Sequence, residues 1–350
     1  MNRCNLLPAI VLSAVTAISS AQSRAVTAEA QITIGESPLQ TLIDATPAHG
    51  TLDISGETYE LAEQIVISNP LTLIARGTRF VVVNYEATNF PDNAALFVPG
   101  LDVTIDGLTI VGPGVTGNIL AGIRTVGPKK FLSNMDIRLF QYALYFLDRC
   151  DQSVISGCDG VQDAAVFGPE TWVGLDYGIV LNQSAHTTVK RCSVQGTRHA
   201  LIIGEGCSFI SVEKCDLSST ANVNTLGIKP TAADCFVIDN EIVGGMNIGG
   251  TRMRVQGNTI RGRDDYSQSS VPFFNATLSS ANHIVTGNFI QARTVPNGTA
   301  RLGVCNVFSP PPGLSGAFLF ENNHIEIKGS APVVTGDTAL VYGKNFIVRR

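Results

Sequence analysis

One motif recurs along most of this chain: an extended apolar stretch, a short polar step, a single Asn or Cys, and an aliphatic residue two positions on. It reads Val189-Lys190-Arg191-Cys192-Ser193-Val194, then Val212-Glu213-Lys214-Cys215-Asp216-Leu217, and continues as Ile238-Asp239-Asn240-Glu241-Ile242. Further copies centre on Asn258, Asn288, Asn323 and Asn345, and weaker ones on Leu108, Met135 and Cys158. The nine intervals between Leu108 and Asn345 average about 26 residues. A repeat of that length constrains the fold strongly, because one unit cannot bury its apolar face except against its neighbours.

Within each unit the apolar positions alternate with period two, which indicates strands. Parallel strands need a crossover, usually a helix, yet these connections carry no helical periodicity. The remaining solution is a coil of short strands and turns stacking in register, a parallel β-solenoid. Asn side chains stacked at a tight turn, one per rung at the ~4.8 Å strand spacing, can satisfy one another and the buried backbone. A second strand repeats as Gly122-Ile123, Ala143-Leu144, Gly178-Ile179, Ala200-Leu201 and Gly245-Met246. Intervals vary from 18 residues (Asn240 to Asn258) to 35 (Asn288 to Asn323), so insertions are expected to emerge as loops on one side.

Composition agrees. Aromatic residues are 7% and glycines number 34, which suits a core of small and β-branched side chains. With 44% apolar residues the chain can fold, and a net charge of −5 argues against a broad grip on nucleic acid.

Arg3 precedes an apolar run from Leu6 to Ile18, and Ser19-Ser20-Ala21 offers small residues for cleavage. That layout predicts a signal peptide over 1–21, a short leader over 22–33 and an exported protein, secreted, periplasmic or at the cell surface. The run is too short to span a bilayer, so no stable membrane insertion is expected. Ser37-Pro38-Leu39-Gln40 supplies an N-cap, a proline at the first helical position and a capping-box glutamine, and Leu39, Leu42 and Ile43 form an apolar helical face.

The repeats, the Asn ladder, the Gly-Ile strand and this leading helix resemble the right-handed parallel β-helix of the pectate-lyase-like superfamily. The resemblance spans roughly Ile34 to Val348. It implies an all-β chain, a right-handed parallel β-helix of about eleven or twelve coils, with a short N-terminal helix capping the first coil. Residues 34–350 then form one domain, expected to be a monomer. Many activities share this scaffold, so the resemblance carries the fold further than the reaction.

Cys158, Cys192 and Cys215 occupy the ladder position on consecutive rungs and read as buried thiols, with a Cys192–Cys215 disulfide the alternative. Cys150, Cys207, Cys235 and Cys305 fall at coil starts or loops, and no Cys or His pattern suggests a metal-thiolate site.

Solenoid enzymes build their sites from adjacent rungs. Aligned on the second strand, Tyr142, Tyr177, His199 and Asn224 share one column, and Asp176 and Arg198 share the column one position earlier. Asn222 and Asn247 flank it, and the long insert before Cys192 adds Asp163, Glu170 and Trp172. This concentration predicts an acidic-polysaccharide site working by β-elimination, with His199, Arg198, Tyr177 and Asp176 as the catalytic set. His199 or Tyr177 would exchange protons, while Arg198 or Lys229 neutralises a uronate carboxylate. Trp172, Tyr142, Asn222, Asn224, Lys229 and Asn247 would bind the sugar chain. The competing reading is an Asp176–Arg198 surface ion pair with the rings packed beside it.

A hydrolase would need paired carboxylates. Asp264-Asp265 resembles the Asp-Asp element of polygalacturonases, but that family's flanking Asn-Thr-Asp and Gly-His-Gly are absent. No metal site is assigned. Calcium, which the superfamily's lyases commonly bind through clustered carboxylates, would have only Asp163, Glu170 and Asp176 to hold it. Whether the chain is an enzyme stays open at this point: a polysaccharide lyase is favoured over a glycoside hydrolase, and a non-catalytic polysaccharide-binding or surface-structural protein is the alternative.

Overall fold

The computed structural model describes residues 26–27, 37–83, 94–114, 121–140, 142–162, 177–196, 198–219, 225–261, 274–276, 282–292, 305–307, 318–327, 333–336 and 341–349. The candidate signal peptide, Asp163, Glu170, Trp172, Asp176, Asn222, Asn224 and the Asp264-Asp265 pair lie outside them.

Every strand pairing in the described residues is parallel, and the chain winds as a right-handed parallel β-helix with three sheet faces. Sheet I holds the strands that precede the ladder residue, such as Val154–Ser156, Thr188–Lys190 and Ser211–Glu213. Sheet II holds those that follow it, such as Asp159–Val161, Ser193–Gly196 and Asp216–Ser219. Sheet III stacks eleven strands from Ile65–Val66 to Val334–Gly336, among them Tyr177–Asn182 and His199–Ile203. Near the start of the coil, Leu71–Val82 and Val103–Val111 run long enough to serve both sheet I and sheet II.

The recurring motif is the corner between sheets I and II. The residue before each anchor takes a left-handed backbone: Asn134, Arg191, Lys214, Asp239 and Asn322 have φ between 52° and 56°. The anchor itself then turns inward. Asn240, Asn258, Asn288 and Asn323 are buried, and each Oδ1 accepts from the backbone of the preceding rung. The amides also bond to one another, Asn240 Nδ2 to Asn258 Oδ1 at 2.9 Å and Asn258 Nδ2 to Asn288 Oδ1 at 3.0 Å. The ladder thus supplies the acceptors that a tight buried corner would otherwise lack.

Upstream the same column holds Cys158, Cys192 and Cys215 as stacked thiols, and all six cysteines with described surroundings are free and buried. Burial raises the Cys150 thiol to about 11 and the Cys235 thiol to about 12, the values of inert core thiols.

The helix forms at Pro38–Ala45 with Leu39 and Ile43 buried, but the expected capping box does not. Ser37 makes no side-chain cap; its N–H donates to Glu63. Gln40 instead reaches outward to the first strand of sheet III, donating to Val66 O and accepting from Val66 N–H at 2.9 and 2.8 Å. Docking on an open strand edge satisfies two half-buried backbone groups there, which a local cap would leave bare.

The Gly-Ile strand of sheet III has a packing cause. A Cβ on Gly178 would stand 2.3 Å from Val194 Cγ1 of sheet II, and one on Gly122 would stand 2.2 Å from Ile137 Cγ2. Between them the pattern inverts. Residue 144 is Leu, and the sheet II residue facing it is Gly160, whose Cβ would meet Leu144 Cδ1 at 2.6 Å. The expected pairing of Ala143-Leu144 with Gly122-Ile123 is therefore one residue out: Tyr145 pairs with Ile123, and Ala143 with Ala121.

Candidate functional site

The candidate residues fall on the outer surface of sheet III, at the edge where the chain enters it from sheet II. Tyr177 and His199 pair directly across adjacent rungs. The corner before His199 is tight. Gly196 closes sheet II, and a Cβ there would press on the His199 carbonyl, so only Thr197 and Arg198 separate the two strands. That turn places Arg198 against its neighbour, with Nη1 donating to Tyr177 Oη at 3.3 Å and the guanidinium carbon 5.9 Å from the Tyr177 ring centre. The His199 and Tyr177 rings stack at 5.6 Å with 14° between their planes.

Tyr142 sits one residue ahead of the column, because Ala143 is the residue that pairs with Tyr177. The Tyr142 carbonyl accepts the Tyr177 N–H at 2.7 Å. Its ring still joins the group, edge-on to Tyr177 at 5.9 Å and 5.9 Å from Phe146. Burial raises the Tyr142 phenol, the Tyr177 phenol adds to this, and Arg124 opposes both. It therefore stays a proton donor.

The remaining residues divide. Asn247 lies on sheet III two rungs beyond Ile202, in register through Gly227. Its Oδ1 is covered and has no hydrogen-bond partner. Gly227 keeps the rung between low: a Cβ there would come within 3.9 Å of the His199 ring. Lys229 is not brought to the group. It is exposed beyond the far end of its strand, its N–H on Ile203 O, level with the fifth residue after His199 and so about 16 Å along the sheet from it at ~3.3 Å per residue. Asp176, Trp172, Asn222 and Asn224 are outside the described residues.

Three residues that the sequence reading passed over extend the group. Phe97, Arg124 and Phe146 occupy one register position on consecutive rungs of sheet III. The Arg124 guanidinium lies 5.6 Å from the Phe97 ring centre and 5.9 Å from that of Phe146. Rings and guanidinium groups so form one oblique strip across sheet III, from Phe97 to Phe146, along that rung to Tyr142, and on through Tyr177 to His199 and Arg198. The available signal was the position after each buried residue of the second strand, in Leu96-Phe97, Ile123-Arg124 and Tyr145-Phe146.

Among the described residues no group of three or more His, Cys, Asp or Glu is placed to hold a metal, and the acids a calcium site would draw on lie outside them. No helix among the described residues is long and apolar enough to cross a membrane.

No protein-family model matches the chain, and no curated protein matches it by sequence. Solved structures do. The tailspike protein gp49 from Pseudomonas phage LKA1 superposes with a TM-score of 0.62 at 13% identity, over 89% of this chain and 73% of that one. DFA-IIIase from Arthrobacter chlorophenolicus A6, without its lid and in complex with GF2, gives 0.60 at 11% identity over 88% of both chains. The tailspike gp61 of Pseudomonas phage phi297 gives 0.61 at 12% identity, over 89% of this chain and 67% of that one. At such identities the likeness establishes the fold, the right-handed parallel β-helix, and no more.

Proposed function

We propose that this chain is an exported carbohydrate-active β-helix protein that takes an acidic polysaccharide on the outer face of sheet III and cleaves it by β-elimination. The observation that carries the reading is the convergence of Tyr177, His199 and Arg198 on adjacent rungs, with Arg198 donating to Tyr177 Oη at 3.3 Å and the His199 ring stacked on Tyr177 at 5.6 Å. Proton exchangers and a cation meet here where two neighbouring strands of sheet III begin. That two of the structural neighbours are tailspikes and one is DFA-IIIase in complex with GF2 supports a ligand of the same broad class. The apolar run after Arg3 supports export.

In the proposed reaction Arg198 faces the uronate carboxylate and makes the adjacent C5 proton removable. His199 in its neutral form takes that proton. The C5–H electron pair becomes the C4=C5 double bond, the C4–O bond breaks, and the leaving oxygen takes the Tyr177 proton. A Tyr177 hydroxyl that accepts from Arg198 has its own proton available for this transfer. Asp176, one residue before Tyr177, would orient Arg198.

Acid–base groups of this kind contribute roughly 10²–10⁴-fold to rate. His199→Ala is therefore expected to lower turnover at least about a hundredfold with the thermal transition unchanged. The check is mass spectrometry of products from a panel of acidic and neutral polysaccharides, with and without calcium. Unsaturated ends support elimination, water-added ends move the chemistry to carboxylates, and undiminished turnover by His199→Ala removes the assignment.

A non-catalytic binding face is the second reading, and the Phe97 and Phe146 rings, which extend the strip without acid–base groups, favour it. Polymer bound but intact throughout the panel would select it.

A further inference from the structure

We propose that Arg124, clamped between Phe97 and Phe146, is a second anion-binding subsite of the same polymer track, recognising a carboxylate or sulfate well away from the bond that breaks. The inference rests on the polysaccharide reading above and adds a residue that determines specificity. Arg124 stands two rungs from Tyr177 and three from His199, about 14 Å along the helix axis from the latter at ~4.8 Å per rung, and three residues, about 10 Å, farther along the strand direction.

The guanidinium carbon lies over both rings, a cation–π arrangement that holds the charge in place on this face. The group keeps its positive charge there, on a planar fork whose shape matches a carboxylate or sulfate. The rings also fix the side chain, so less rotamer freedom is lost when an anion arrives. All three residues are half-buried on the outer face of sheet III, and Tyr142 continues the strip from Phe146 toward Tyr177. A polymer crossing sheet III obliquely, along the line of these rings, would therefore meet two cations, Arg198 at the reacting unit and Arg124 farther along. A short fragment over Tyr177 and His199 would meet only one. The track then selects for length and for repeated acidic groups.

The test is calorimetric titration of the full chain with long and short oligomers of polygalacturonate and alginate, and with dextran as the neutral probe. Arg124→Gln is expected to weaken binding of the long acidic oligomers about tenfold, a loss that shrinks at high salt, while short oligomers and their turnover stay as in wild type. Arg124→Lys, which keeps the charge without the fork, should fall between and serves where the Gln variant does not fold. Equal binding of long acidic oligomers by wild type and Arg124→Gln would overturn the subsite and leave the reading at His199 standing. Binding confined to dextran would overturn it likewise. A folded wild-type chain that binds none of the probes would overturn the polysaccharide reading itself, and the subsite with it.

Discussion

Among the described residues, His283 is a titratable side chain buried with one polar atom unsatisfied. It is 2% exposed in the inward column that also holds Met253 and Phe318, accepting the Met253 N–H at its Nδ1 and lying edge-on to Phe318. Its Nε2 has no hydrogen-bond partner. Desolvation lowers its pKa from 6.5 to about 4, because burial away from water penalises the charged ring. A histidine depressed in this way binds protons more weakly when folded than when unfolded. The stability it allows is present in full above about pH 6.5 and is lost as pH falls through about 4. The shift corresponds to about 3 kcal/mol at most. We predict that His283→Met flattens the fall in urea midpoint between neutral pH and about pH 4, relative to wild type. It should also lower the neutral-pH midpoint somewhat, since the Met253 N–H then loses its acceptor. Parallel pH profiles in the two proteins would show that other groups govern acid stability.

At the scale of the element, what matters is how sheets II and III share one core layer. In successive coils the facing pairs are Gly122 with Ile137, Leu144 with Gly160, and Gly178 with Val194, so a large residue always meets a small one. The layer fixes summed volume, not the residue on either sheet. Gly160→Val alone should therefore destabilise by about 3 kcal/mol through overpacking against Leu144, and Leu144→Gly alone by a similar amount through a cavity. The double variant restores the neighbouring coils' arrangement and should cost clearly less than the two together, a coupling that thermal or urea unfolding of the four proteins would reveal. Strictly additive losses would refute the shared-volume account. The same swap explains where the sequence could be read and where it could not. The ladder was legible because Asn and Cys at the corner are demanded by hydrogen bonding and burial, whatever the neighbouring coil does. The sheet III register slipped at Leu144 because glycine there is only half of a pair whose other half lies on another sheet. Tyr177 and His199 could be matched from their coil positions, and Tyr142 shifted with the slip. Arg124 went unread because its partners, Phe97 and Phe146, become neighbours only when three rungs stack. Gln40 was misassigned because its partner, Val66, belongs to a strand edge far along the chain.

On the scale of the whole molecule, a solenoid is held by contacts between neighbouring rungs, so its stability is close to a sum of rung and interface contributions. Middle rungs such as Thr188–Lys190 are bonded on both sides, to Val154–Ser156 and to Ser211–Glu213. The last described rung, Phe346–Arg349, is bonded to His324–Ile327 alone among the described residues. Its core-column residue shows the difference: Ile347 is 44% exposed where Ile325, one rung earlier, is 0% exposed, and Phe346 is 64% exposed at the end of an aromatic column with His324 and Phe289. At the opposite end the helix Pro38–Ala45 covers the first strand of sheet III through Gln40. Opening should therefore begin at the rungs around Phe346 and leave the middle intact. Native-state hydrogen exchange is expected to give the amides of Phe346–Arg349 an opening free energy well below that of Thr188–Lys190 and Ser193–Gly196, with the His324–Ile327 amides between. Exchange from all of these strands at one common free energy would mean that the molecule opens as a single unit. It would also mean that the face carrying Ile347 is covered in solution, and a concentration series of the same measurement would then tell whether a second copy covers it.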